Sequence, residues 1–263
     1  MLASAGDASI DQKRESDRVG SMERIAVPFF IGDPMPGFQV PEPHRMIDPT
    51  LPEGSPQRRM TILYRALADE VARADRPCVY AGDCLATIGV LAGLQRRGLS
   101  PTVVWFDAHG DFHTWETTPS GFLGGMPLAM LVGRGEQTIM AGAGATPIDE
   151  HLAILVDGRD LDPGEPVDSS ELVHVTLDEL QELLPGDAPL YVHIDVDVVD
   201  PADMPAVNYP SPGGPSLDAV VSSLRSISST GRVVACSVSS WNPALPGAET
   251  AAAATETLVD ALA

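Results

Sequence analysis

Lysine is all but missing from this chain: Lys13 is the only one in 263 residues. That shortage removes several mechanisms at once. A pyridoxal-phosphate enzyme or a Schiff-base aldolase requires an active-site lysine, and a Walker A loop requires one on the phosphates. Cationic side chains are scarce altogether, with Lys+Arg 16 against Asp+Glu 37 and a formal net charge of −21. Phosphate backbones and anionic lipids are held by clustered cations, so neither nucleic acid nor a membrane surface is an expected partner. Only three cysteines occur, Cys78, Cys84 and Cys236, too few for a disulfide framework in a chain of this length. An apolar run of about 20 residues is also lacking, as is a signal-peptide pattern, and the expectation is a soluble, cytoplasmic protein.

What is present is alternation. From Ile25 onward, strand-like apolar runs (25–31, 77–81, 102–106, 138–142, 152–157, 172–175, 189–196 and 232–238) alternate with helical stretches (57–74, 85–97, 216–229 and 249–262). Gly98 stands at a C-cap position and Ser216 at an N-cap position. Alternating β and α elements predict an α/β fold with a mostly parallel sheet of about eight strands, helices on both faces, and sites at the strand carboxyl ends. Residues 22–263 read as a single domain. Residues 1–21 are Ser-, Asp- and Arg-rich, and are expected to be disordered, with Gly20-Ser21-Met22 as the join between an added leader and the native start. The stretches 33–56 and 112–127 read as long connections, which beside strand ends tend to form functional rims.

Two motifs carry chemistry. Asp107-Ala108-His109-Gly110-Asp111 follows Thr102-Val103-Val104-Trp105-Phe106, and Asp195-Val196-Asp197 follows Leu190-Tyr191-Val192-His193-Ile194. Side chains on a strand alternate faces, so Asp107, His109 and Asp111 can converge, as can Asp195 and Asp197. An acidic chain scatters isolated D-x-D pairs over solvated turns. Two such motifs, each closing an apolar strand, instead put four carboxylates and an imidazole at the same sheet edge. Cations must offset that charge, and a donor set rich in oxygen with some imidazole suits Mn²⁺ in a two-metal hydrolytic centre.

With Ala81-Gly82-Asp83-Cys84, Arg159-Asp160-Leu161-Asp162-Pro163-Gly164-Glu165, Asp195-Val196-Asp197-Val198-Val199-Asp200-Pro201 and Asn242-Pro243, these motifs stand in an order and spacing that resembles the ureohydrolase (arginase/agmatinase) family. The resemblance covers nearly everything from residue 25 onward. It implies a three-layer α/β/α fold, two Mn²⁺ per chain and hydrolysis of a guanidino group by a water that the two ions share. By matching position the metal ligands would be Cys84, Asp107, His109, Asp111, Asp195 and Asp197, with Asp111 also carrying a proton to the departing amine. Asp162 and Glu165 match contacts to a substrate α-ammonium, and Ser120 matches a contact to its carboxylate. His113 stands where arginases place an Asn for the same carboxylate. Asp83 and Asp200 are expected to support the site, while His44, His151, His174 and His193 read as structural or surface residues and Trp105 and Trp241 as packing.

Three departures from the family pattern bear on the substrate. Cys84 replaces a ligand His, Gly124 replaces a proton-shuttling His, and Ser240 stands where arginases hold the guanidinium with a Glu. A buried guanidinium without its charge partner is penalised by roughly 2–5 kcal/mol. An N-hydroxyguanidine is far less basic and can bind neutral; its hydroxyl can bond Ser240 or occupy the space left at Gly124. The pattern is therefore similar to that of family members serving antibiotic (cycloserine) biosynthesis, and it implies conversion of Nω-hydroxy-L-arginine to L-ornithine and hydroxyurea. An arginase, agmatinase or other guanidino hydrolase is the alternative, and a binding or regulatory homologue with an impaired metal site is a further one. The partner is then a small amino-acid substrate. The chain is expected to be monomeric, because it stops at Ala263 without the tail that ties some arginases into trimers.

Overall fold

The computed structural model describes residues 22–263 apart from Pro185 and Ser240, with the side chain of Gln181 also left aside. The leader expected over 1–21 lies outside the described residues.

The chain opens with β1 (Glu23–Val27), a short hairpin of β2 (Phe29–Phe30) and β3 (Asp33–Pro34), and β4 (Arg45–Met46). Then come α1 (Pro56–Arg73), β5 (Pro77–Ala81), α2 (Ala86–Arg96), β6 (Thr102–Asp107), α3 (Pro127–Leu131) and α4 (Thr138–Ala143). The second half runs β7 (Ala153–Asp157), β8 (Val173–Val175), α5 (Leu177–Leu183), β9 (Leu190–Asp195), α6 (Leu217–Ser228), β10 (Val233–Ser239) and α7 (Ala248–Asp260). Eight strands form one sheet in the order β4-β1-β5-β10-β9-β6-β7-β8, with every pairing parallel.

Strand periodicity splits the core in two. Val103, Trp105, Val79 and Leu155 face α1 to α4, whereas Val104, Phe106, Tyr80 and Val156 face α5 to α7. This is the three-layer arrangement expected. The helix starts follow local chemistry: Ser55 accepts from Arg58 N ahead of Pro56, Ser216 accepts from Ala219 N, and Thr176 and Glu179 form a capping box.

The structure corrects the element reading in several places. Residues 138–142, expected as a strand, form α4. Its buried Ile139, Met140 and Ala143 recur at helical spacing, Glu136 accepts from Thr138 N, and Gly144 closes the helix at φ +81°. The eighth strand is instead β4, a two-residue edge with too little apolar content to show in the sequence. The run 25–31 breaks at Pro28, which has no N–H for a ladder, and turns at Ile31 (φ +49°). Helices α3 and α5 were not expected.

Candidate metal centre

The cleft forms where the sheet brings its middle strands to a common edge. Ser239 at the end of β10 is in register with Asp195 at the end of β9 and, on its other side, with Ala81 at the end of β5. Asp107 closes β6, the neighbour of β9. Strands β5 and β6 are therefore separated in the sheet by two strands, β10 and β9, which come later in the sequence, and this is the crossover geometry that opens a crevice in parallel sheets.

Cys84 sits three residues past β5, and its Sγ lies 2.9 Å from Asp195 Oδ2 and 3.1 Å from Ser239 Oγ. Its sulfur joins carboxylate oxygens of Asp107 and Asp111 in one group whose atoms all lie within 4.8 Å. A second group of the same tightness comprises Asp107, His109 and Asp197, so Asp107 is shared. Asp195 is tied to both, through Cys84 Sγ and by accepting from Asp197 N at 3.0 Å. All six residues expected as ligands are thus brought together. The remaining hydrogen-bond capacity of Asp107 is committed: Trp105 Nε1 donates to Oδ2 at 2.9 Å and His109 N to Oδ1 at 2.8 Å. Trp105 can do this because residues i and i+2 of a strand share a face.

Within this cluster of four carboxylates, a thiol and an imidazole, His109 is the one group that can carry positive charge. Two carboxylate charges within the 4.8 Å of such a group repel by about 3–4 kcal/mol at an effective dielectric of about 20. Burial, then Asp107 and Asp195, hold the Asp111 carboxyl well above the usual range. Burial, with Asp107 beside it, pushes Asp197 up to about 6. Burial works against a charge on His109, but hydrogen bonds and charges from Asp107 and Asp197 outweigh it and push the imidazole up to about 12. Burial and then Asp195, Asp111 and Asp107 likewise raise the Cys84 thiol. A site that draws in protons this strongly has the donor chemistry for divalent cations. The residues fit a pair of such ions.

Around this floor lies a cavity of about 290 Å³. His113, Ser120, Gly124, Asp162 and Glu165 all line it, as expected. Their surroundings refine the picture. Glu165 spends both oxygens on the backbone, accepting from Phe112 N at 2.7 Å and Asp162 N at 3.2 Å; it braces the wall. It fits so closely over Gly110 that a Cβ there would come within 2.5 Å of its carboxylate. Asp162 is 57% exposed and faces the buried His113, whose Nε2 lies 3.3 Å away, while Nδ1 of His113 meets Thr117 Oγ1 at 3.0 Å. Ser120 accepts from Phe122 N at 3.2 Å. The space at Gly124 is not open, contrary to expectation: the ring of Phe122 occupies it. Ser240 falls outside the described residues.

The supporting roles follow. Asp83, buried and pushed up to about 6 by that burial, accepts from Ile31 N, Leu85 N and Tyr64 Oη. Asp200 closes a turn by accepting from Ala202 N and Gly213 N. His193 is buried beneath the site beside Ser237, and burial lowers it to about 3, which keeps it neutral. Trp241 stacks on Phe38 in the core. The stretch 112–127 forms the rim, but 33–56 contributes no lining residue.

Sequence reasoning missed Ser239, Asn208, Tyr209, Phe30 and Phe122. Ser239 ends an apolar strand just as Asp107 and Asp195 do, and that position could have found it. Phe30 lies in the short β2 and Phe122 in the 112–127 rim, while Asn208 and Tyr209 lie on a connection without a local signal. Arg159, quoted only as part of a motif, turns out to be a strap: it pairs with Asp157 and donates to the carbonyls of Asp197 (3.0 Å), Val198 (2.9 Å) and Ser211 (2.7 Å).

Comparison with known proteins gives a consistent answer. A model of the arginase family matches residues 18–263. Over 166 residues the chain is 34% identical to an arginase of Bacillus caldovelox, covering 57% of this chain and 56% of that one. Over 192 residues it is 33% identical to the N(omega)-hydroxy-L-arginine amidinohydrolase of Streptomyces lavendulae, covering 68% and 66%. The match thus spans little more than half the length of the arginase. The structure of an arginase from Bacillus subtilis superposes with a TM-score of 0.79 at 25% identity, over 92% of this chain and 98% of that one.

Proposed function

The chain belongs to the arginase family, and from that starting point we propose that it hydrolyses the hydroxyguanidino group of Nω-hydroxy-L-arginine, giving L-ornithine and hydroxyurea. The observation that carries the hydrolytic reading is the pair of donor groups sharing Asp107 on the floor of the cleft. Cys84, Asp107, Asp111 and Asp195 would hold one Mn²⁺, and Asp107, His109, Asp195 and Asp197 a second. Ions held there supply Lewis acidity and lower the pKa of a water at the site.

The rest of the chemistry falls to the protein. Asp111, on the cavity wall, is assigned the proton transfer. Its backbone is left-handed (φ +48°), a conformation uncommon outside glycine, and its carbonyl accepts from Leu128 N and Ala129 N. The water oxygen joins the central carbon, the bond from that carbon to the δ-nitrogen breaks, one water proton passes by way of Asp111 to the departing ornithine amine, and the other ends on the hydroxylated nitrogen of hydroxyurea. Asp162, 57% exposed at the rim and paired with His113, is assigned the substrate ammonium, while Glu165 is occupied in holding the loop. Ser120, whose oxygen already accepts from Phe122 N, keeps its hydroxyl proton for the substrate carboxylate, with His113 alongside.

Two features support hydroxyarginine over arginine: no carboxylate at 240 in the sequence, and no imidazole at 124, where Phe122 closes the space. The test is a panel of Nω-hydroxy-L-arginine, L-arginine, agmatine and guanidinobutyrate with Mn²⁺, following amine release. We expect kcat/KM for hydroxyarginine at least ~100-fold above that for arginine, about 2.7 kcal/mol in transition-state binding. Equal rates, or preference for agmatine, would sink the substrate assignment, and no turnover at two bound metals per chain would sink the enzymatic one.

A further inference from the structure

The cleft has two unlike walls. One carries His113, Asp162 and Glu165; the other is aromatic. Phe122 packs against Tyr209 with centroids 5.5 Å apart and near Phe30 at 6.4 Å, three rings drawn from segments far apart in sequence. Tyr209 is 53% exposed, and its loop is tied down by Asn242 Nδ2 donating to Asn208 Oδ1 and by a bridge between Val207 and Trp241.

The ring of Phe122 is held in place. Thr118 Oγ1 accepts from Gly121 N, Ser120 Oγ accepts from Phe122 N, and the carbonyl of Phe122 accepts from Gly125 N. Gly124 is not in a left-handed conformation, so its backbone would suit any residue. Space is what forbids one: a Cβ would lie 2.2 Å from Cε1 and 2.6 Å from Cζ of Phe122. Residues 122 and 124 therefore form a linked pair in which the ring takes the volume that a side chain would fill.

We propose that Phe122, backed by Tyr209 and Phe30, is a specificity-determining residue that selects a flat, uncharged substrate tip over a cationic guanidinium by presenting an apolar ring where a polar side chain at position 124 would otherwise stand. The inference rests on the reading that the substrate is an amino acid with a guanidino-type tip. An apolar wall strips water from that tip, and a charged group loses more hydration than a neutral one. The aromatic face returns part of that cost to a cation, so charged and neutral tips of equal length are the ones to compare.

Calorimetric titration of Mn²⁺-loaded protein with L-citrulline (neutral) and L-arginine (cationic) makes that comparison. The parent should bind citrulline more tightly, and Phe122→Ala should shift the ratio of Kd values toward arginine by at least ~10-fold. Phe122→Leu, apolar and nearly as large, should keep the parent's preference and covers the case in which the alanine variant does not fold. Gly124→Ala should weaken citrulline binding in the parent but leave it unchanged in Phe122→Ala, because the clash is then gone. An unchanged ratio in folded Phe122→Ala, loss of the preference in Phe122→Leu, or a parent that favours arginine overturns the proposal. Failure of the hydroxyarginine reading appears separately, as no ornithine from hydroxyarginine whatever the Kd ratio.

Discussion

The floor and the rim of the cleft are built in opposite ways. The floor is made of strand ends and the residues just beyond them: Asp107, Asp195 and Ser239 are fixed by sheet register, and Cys84 by a three-residue step past β5. The rim comes from three segments that meet only in the folded chain, the β2 hairpin and the loops around 122 and 209, bringing Phe30, Phe122 and Tyr209 together. The groups proposed to hold metal sit on rigid elements, while those proposed to choose the substrate sit on the segments between them, where change disturbs the sheet least. If that division holds, floor variants should lower turnover for every substrate and rim variants should change the ratio between substrates.

The largest effect is expected on the floor. Asp111→Asn should lower kcat by about 10²–10⁴-fold on hydroxyarginine and arginine alike, with a smaller change in KM. Near-parental turnover in metal-replete Asp111→Asn would remove Asp111 from the mechanism. At the substrate end, Ser240→Glu should narrow the ~100-fold preference for hydroxyarginine by about 10-fold or more by restoring the counter-charge. A preference that stays the same would show that the missing acid is not what excludes arginine. Cys84→His should bind Mn²⁺ at least as tightly as the parent, by up to ~10-fold, since imidazole suits this ion better than thiolate. Unchanged metal content in both Cys84→His and Cys84→Ala would remove Cys84 from the donor set.

The smallest effect is on stability against pH, and it arises on the floor side of that division. Asp83 and Asp197 have pKa values raised to about 6 in the fold. A carboxyl raised in this way stabilises the fold while protonated, and that contribution fades as pH climbs from about 4 through about 6. His109, raised to about 12, gives stability that is complete below about 6.5 and declines above it. Both trends run in one direction. Chelated protein should therefore lose melting temperature steadily between pH 5 and 8, and Mn²⁺ should recover a few degrees, more at pH 8 than at pH 5. A chelated protein that melts higher at pH 8 than at pH 5 would contradict the charge balance of the floor.

The same division explains what could be read in advance. Asp107, His109, Asp111, Asp195 and Asp197 were legible as expected donors because each closes or follows an apolar strand, and a period of two tells which side chains converge; Cys84 entered only through the family resemblance. The eight-stranded parallel sheet followed from alternation, although one of its strands had been placed at 138–142, where a short apolar run forms α4 instead. Apolar runs of five residues do not distinguish strand from helix; the Glu136 and Gly144 caps decide it. The rim was legible only in part: 112–127 read as a rim, but its aromatic contacts did not. Nothing near Gly124 in the sequence says that the ring two residues earlier folds back over it, and nothing near Tyr209 says that it meets Phe122. Those are tertiary facts, settled by which loops share an edge of the sheet.

Arg159 crosses the boundary between the two regions. Its guanidinium holds the carbonyls of Asp197 and Val198 on the floor and that of Ser211 in the loop that carries Tyr209, and a Cβ at Gly214 would come within 2.6 Å of it. That places a restriction on how new substrates can be acquired by descent. Tyr209 is not among the partners of Arg159, so replacing it alters the rim without touching this strap. Insertions or deletions between Asp197 and Ser211 change the distance this one side chain must span and pull on a metal donor. Substrate preference in this lineage should therefore drift by single replacements in a loop of fixed length.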